Sequence, residues 1–140
     1  MALIVDAAPV VAMADAADPS ASEIERILQE EAGPLVIPAP VTAEIDYLLA
    51  TRLGGRAQRA FLADLAAGRF VVDCLQPSDY LRAAELDDRY ADLRLGLSEL
   101  SVILAAARFA TRRLLTFDER DFRSVAPIQG GSFQLLPADR

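Results

Sequence analysis

The chain has no histidine and no lysine in 140 residues, and only one cysteine, Cys74. Each absence removes a class of chemistry. Without an imidazole there is no histidine acid–base pair, and no Ser–His or Cys–His nucleophile. Without a lysine there is no P-loop, whose lysine reaches the nucleotide phosphates. A receiver domain that relies on a lysine beside its acids is excluded on the same ground. One cysteine and no histidine cannot build a structural zinc site. Long apolar runs are missing too, since no segment approaches the ~20 residues of a membrane span. The N-terminus lacks the basic region of a secretory signal. Together these point to a cytoplasmic protein that does not enter a membrane.

What is present describes a globular protein. Hydrophobic residues make up 53% and charged residues 25%, so the chain is not disordered. Its length suits a single domain, residues 1–140, with a sizeable core. Cys74 lies in the apolar run Phe70–Leu75, which predicts a buried, inert thiol. The net charge of −7 argues against nonspecific coating of nucleic acid. It leaves nucleic-acid chemistry open, because clustered carboxylates that hold Mg2+ or Mn2+ are themselves a source of negative charge. All 14 basic residues are arginine, so phosphate contacts would come from guanidinium or backbone N–H groups.

Ala2–Val5 reads as a short buried parallel strand, and Asp6 follows it. Ala7–Ala14 can begin a helix, within limits set by Pro9. Asp18-Pro19-Ser20 is a turn, and Ser20 or Ser22 is placed to cap a helix that runs to about Glu31. Leu35–Ile37 is a second strand. Pro40 suits the first turn of a helix from Val41 to Arg52, in which Glu44 borders the apolar stripe and Asp46 faces elsewhere. Gly54-Gly55 breaks that helix, and Ala57–Ala67 forms the next. Phe70–Leu75 is a third strand, followed by a helix to about Tyr90. Ser98 can cap a helix over Glu99–Ala110 that is apolar almost all the way round and therefore central. Leu114–Thr116 is a fourth strand, Asp121-Phe122 completes a turn, and Phe133–Leu136 is a last, edge strand. Alternating strands and helices predict an α/β fold with a mostly parallel sheet of four to five strands flanked by helices.

Four carboxylates stand out by position: Asp6, Glu44, Glu99 and Asp118. Strand ends and the helix starts that follow them share one edge of a parallel sheet, where such folds bind ligands. Carboxylates that converge there without a cationic partner repel one another, unless a divalent cation joins them. An all-oxygen site favours Mg2+ or Mn2+. Taken singly, each acid also fits a structural role. Asp6 and Glu99 suit helix caps or first-turn positions, Glu44 a surface and Asp118 a turn. Asp46, Asp92 and Asp121 read as solvated acids. Arg52, Arg56 and Arg59 gather near a helix–helix corner and could face either solvent or phosphate, as could Arg112 and Arg113.

Four stretches carry a family resemblance: Leu3–Asp6, Pro38–Leu49, Asp92–Ser101 and Leu114–Phe122. In this order and at this length the chain resembles a PIN-domain ribonuclease, specifically a VapC-type toxin of a bacterial toxin–antitoxin pair. The resemblance implies a three-layer PIN-like fold and an Mg2+- or Mn2+-dependent endoribonuclease. It maps the family's acidic quartet onto Asp6, Glu44, Glu99 and Asp118, with Asp6, Glu99 and Asp118 as metal ligands. It further implies an RNA substrate (tRNA, rRNA or mRNA), a cognate antitoxin whose tail covers the acidic pocket, and a homodimer. Two departures are visible. The family usually carries Asp at Glu99, whose extra methylene moves the carboxylate by about 1.5 Å. It also commonly has Ser or Thr just after the first acid, where this chain has Ala7 and Ala8. Thr116 is retained. The departures motivate a second expectation, a catalytically weak or inactive PIN-like protein that binds RNA or a protein partner without cleavage.

Overall fold

The computed structural model describes all 140 residues, and five short strands form its centre. They are β1 (Leu3–Val5), β2 (Leu35–Pro38), β3 (Val71–Asp73), β4 (Arg113–Leu115) and β5 (Gln134–Leu136). Their order across the sheet is β3-β2-β1-β4-β5, and every neighbouring pair is parallel. The first strand is therefore the middle one. Ile4 stands opposite both Val36 and Leu114. A parallel sheet is covered on both faces, which explains why Leu3, Ile4 and Val5 are all apolar and fully buried. The Thr111 hydroxyl donates to the Ala2 carbonyl at 2.7 Å and ties the starts of β1 and β4 together inside the core.

Seven α-helices flank the sheet: α1 (Ala7–Ala14), α2 (Ala21–Glu30), α3 (Ala39–Arg52), α4 (Gly55–Ala66), α5 (Pro77–Arg89), α6 (Leu97–Arg108) and α7 (Glu119–Ser124). Ile24, Ile27 and Leu28 turn one face of α2 inward, as their helical spacing requires. Gly54 joins α3 to α4 with φ of 98°, a backbone region that costs a side-chain-bearing residue energy. α6 is the central helix. Leu100 through Ala106 are all buried, and the helix packs on β1 and β2 and against α3 and α5.

The structure corrects several sequence expectations. α6 starts at Leu97 and not at Glu99. Gly96 is its cap, and Ser98 lies inside the first turn. Asp121-Phe122 belongs to a true helix, α7, because Asp118 caps it and buried Phe122 anchors it edge-on to Phe133, with ring centres 6.3 Å apart. Cys74 is exposed. Its apolar run ends on an edge strand: β3 pairs only with β2, and Val71 and Val72 are 44% and 37% exposed. No helix is long and apolar enough to cross a membrane.

Candidate acidic active site

Asp6 emerges from the carboxyl end of β1 and caps α1. Its Oδ1 accepts the Ala7 N–H at 2.9 Å, and its backbone N–H donates to the Leu115 carbonyl of β4 at 2.9 Å. Its Oδ2 accepts the Thr116 hydroxyl at 2.8 Å. Thr116 is buried and has a second task, since its oxygen accepts the Asp118 N–H at 3.0 Å. One hydroxyl thus fixes the ends of β1 and β4 relative to each other. Asp118 caps α7 by accepting the Asp121 N–H at 3.0 Å.

Glu99 is the third residue of α6. Its Oε2 accepts the Gly96 N–H at 3.0 Å, so the carboxylate curls back over the start of its own helix. A Cβ on Gly96 would meet that oxygen at 2.9 Å, so a larger residue there would displace the Glu99 carboxylate from its cap. Glu44 is exposed on α3, the helix that packs against α6.

The electrostatics of Asp6 tie these acids together. Burial is the main cause that pushes its carboxyl up from 3.8 to about 6, and the nearby charges of Glu44 and Glu99 push it further. The bonds from Thr116 and Ala7 oppose the rise without cancelling it. Asp121 is raised as well, by burial and by its contact with Asp118, with a smaller push from Glu99. It is a fifth member of the acidic surface, one that the sequence reading assigned to solvent. The signal available was its position three residues after Asp118, where a helix cap would bring the two together.

The other acids and arginines sort by partner. Asp46 accepts from Gln58 at 2.9 Å and joins α3 to α4, and Asp92 is exposed in the short 3-10 turn at Ala91–Leu93. Arg113 pairs with Glu31 at 2.7 Å, while Arg112 donates to the carbonyls of Gly130 and Gln129. Both are thereby committed to structure. Arg52, Arg56 and Arg59 are exposed and form no ion pair.

No three acidic side chains stand close enough in this arrangement to ligate one ion, because Glu99 and Asp118 are turned onto backbone N–H groups. The donor set nevertheless suits a hard divalent cation. It is all oxygen, it offers no cationic side chain to Asp6, and it holds Asp6 in the raised state that a neighbouring positive charge would relieve.

The sequence pattern of the PIN domain matches residues 3–127. Over 135 residues the chain is 35% identical to the ribonuclease VapC26 of Mycobacterium tuberculosis, an alignment covering 96% of this chain and all of the relative. This chain belongs to the PIN-domain family, in its VapC branch. Solved VapC structures share the fold. VapC20 of M. tuberculosis, a toxin that cleaves the sarcin–ricin loop, superposes with a TM-score of 0.77 at 19% identity, over 84% of this chain and 91% of that one. VapBC2 of Rickettsia felis, bound to a DNA fragment from its promoter, matches with a TM-score of 0.69 at 14% identity, over 96% and 98% of the two chains. In this PIN domain, Asp6 and Asp118 follow two adjacent parallel strands and Glu99 opens the helix packed on the first of them, so three of the four acids expected from the sequence share one edge of the sheet. Glu44 approaches from the neighbouring helix.

Proposed function

We propose that this chain is the endoribonuclease toxin of a toxin–antitoxin pair and hydrolyses RNA phosphodiester bonds at Asp6, Glu44, Glu99 and Asp118. The observation that carries this reading is the state of Asp6. It is a half-buried carboxylate raised to about 6, ringed by other acids and with no cation beside it. A protein tolerates that cost at a functional site more readily than elsewhere. Asp6, Glu99 and Asp118 would hold Mg2+ or Mn2+. When bound, such an ion supplies a Lewis acid that activates water and offsets charge growing on the phosphate. Thr116 keeps Asp6 oriented by donating to one of its oxygens. Glu44, exposed at the rim, completes the pocket as a further ligand or orients the attacking water. The water oxygen bonds to phosphorus in line with the ester oxygen that leaves, and that oxygen takes up a proton. A cognate antitoxin, a homodimeric state and a cytoplasmic setting go with this reading.

A second reading rests on Glu99. Its carboxylate is occupied as a cap on the Gly96 N–H, and Ala7 and Ala8 supply no hydroxyl beside Asp6. A protein that binds RNA or a partner but cuts slowly fits those facts. One assay separates the two readings. Total RNA is incubated with the chain and Mg2+ or Mn2+, and the cleaved ends are mapped. Cleavage should stop with EDTA and fall by at least about 100-fold in Asp6→Ala. Equal cleavage by wild type and Asp6→Ala would sink the assignment. A large gain in Glu99→Asp would instead favour the impaired enzyme.

A further inference from the structure

Beside the acidic site lies a cavity of about 180 Å3 that these roles do not use, walled by Ala8, Val11, Asp15, Asp18, Arg52 and Phe117 among others. Two of its walls belong to the catalytic strand ends. Ala8 is two residues beyond Asp6. Phe117 sits between Thr116, which holds Asp6, and Asp118. Phe117 is 39% exposed, although its neighbour Thr116 is 1% exposed. The fold thus turns an aromatic ring outward beside Thr116, which links two of the proposed catalytic residues.

We propose that this cavity is a nucleobase subsite, in which one unstacked base next to the scissile phosphate of single-stranded RNA lies against Phe117. The inference rests on the nuclease reading and names how that site would choose its substrate. Three features favour a base over other occupants. An exposed aromatic ring offers a face on which a base stacks. The carboxylates of Asp15 and Asp18 repel phosphate and accept hydrogen bonds from N–H groups. Each uses Oδ1 for a turn, on Ala17 N–H at 3.0 Å and on Ser20 N–H at 2.8 Å, and keeps Oδ2 free. Guanine presents two adjacent N–H donors on one edge and matches a carboxylate best. Arg52 forms no ion pair and stands at the wall to neutralise the backbone of the same nucleotide. Ala8 matters here. A larger residue would narrow the cavity, so the small side chain after Asp6 gives room to the base.

The test measures binding apart from cleavage. Fluorescent single-stranded RNAs of about 10 nucleotides, guanine-rich or uracil-only, are titrated onto Asp6→Asn protein by anisotropy. Adding Phe117→Ala should raise Kd for the guanine-rich RNA by about 10-fold or more. Phe117→Tyr should restore affinity and Phe117→Leu should not. The thermal midpoint should stay that of the parent, since the ring is partly outside the core. Unchanged affinity in Phe117→Ala, equal rescue by leucine, or tighter binding of the uracil-only RNA overturns the proposal. So does unchanged RNA affinity with loss of binding to an antitoxin, which would give the cavity to a protein side chain. Phe117-dependent binding by a wild type that cuts no RNA would leave the subsite standing and remove only the hydrolysis. Failure of the wild type to bind or cut either RNA would remove both.

Discussion

Asp6 serves three structures at once: it follows the central strand, caps α1 and accepts the hydrogen bond that the Thr116 hydroxyl donates. Its raised carboxyl makes it a weak point of the fold at neutral pH. Because its folded value of about 6 lies above the ordinary 3.8, the folded state binds this proton more tightly than the unfolded one. Its contribution to stability is therefore greatest below pH 4 and is lost as pH rises through 6. Ionisation costs about 2 to 3 kcal/mol there. Asp6→Asn keeps an oxygen for the Ala7 N–H and removes the charge. It should be more stable than wild type by about 1 to 2 kcal/mol at pH 7.5, with the gain vanishing near pH 4. Urea midpoints across that range check it. A variant less stable at pH 7.5 would show that the charge is not a burden.

At the scale of elements, an ion-pair junction holds the edge of the sheet. Arg108, at the end of α6, reaches Asp73 at the end of β3 at 2.9 Å and Asp79 at the start of α5 at 2.7 Å. Asp79 also accepts the Gln76 N–H at 2.7 Å, and that bond, ahead of Arg108, holds its carboxyl below the usual range. Both acids are nearly buried, so Arg108→Ala strands two charges. Loss of a buried partner costs about 3 to 5 kcal/mol. The guanidinium is 38% exposed, so the expected loss is nearer 2 kcal/mol, read as a lower urea midpoint at pH 7. Because the Asp79 carboxyl is depressed, its share is present above pH 3.8 and is lost as pH falls below that, which should narrow the gap between variant and wild type.

This junction was not legible in the sequence, since nothing in the spacing of Asp73, Asp79 and Arg108 says that they meet. Periodicity did reveal the strand–helix alternation, the parallel sheet and the central place of α6, because burial on both sides of a parallel strand leaves an unbroken apolar run. The same signal misled at Cys74, where an apolar run ended on an edge strand with one face open. Three of the proposed site acids were readable as residues that follow strands or open a helix. Asp121 was not, because a single helical turn leaves too little pattern to separate it from a loop. Ser98 looked like a cap by type, yet Gly96 took that place and Glu99 supplied the bond.

For the whole molecule, charge and sheet order decide the expected response to ions. A chain of net charge −7 that gathers acids at one edge should gain from divalent cations. Binding to the folded state alone raises stability by mass action, about 1.4 kcal/mol when the ion is at ten times its Kd. In a domain of this size that lifts the thermal midpoint by several degrees. We expect Mn2+ or Mg2+ to produce this shift in wild type, EDTA to reverse it and Asp6→Asn to abolish most of it. Equal shifts in both proteins, followed by differential scanning fluorimetry, would place the ion elsewhere.

The bond from Thr116 to Asp6 spans 110 residues. On the ribosome the chain emerges from its N-terminus, so Asp6 and Glu44 are made long before Thr116 and Asp118. Until β4 arrives, the middle strand of the sheet lacks one of its two neighbours. The acids on either side of that gap cannot be brought together earlier. On the proposed reading, the site that would cut RNA is assembled only in the finished protein, and the unfinished chain should leave the RNA around it intact.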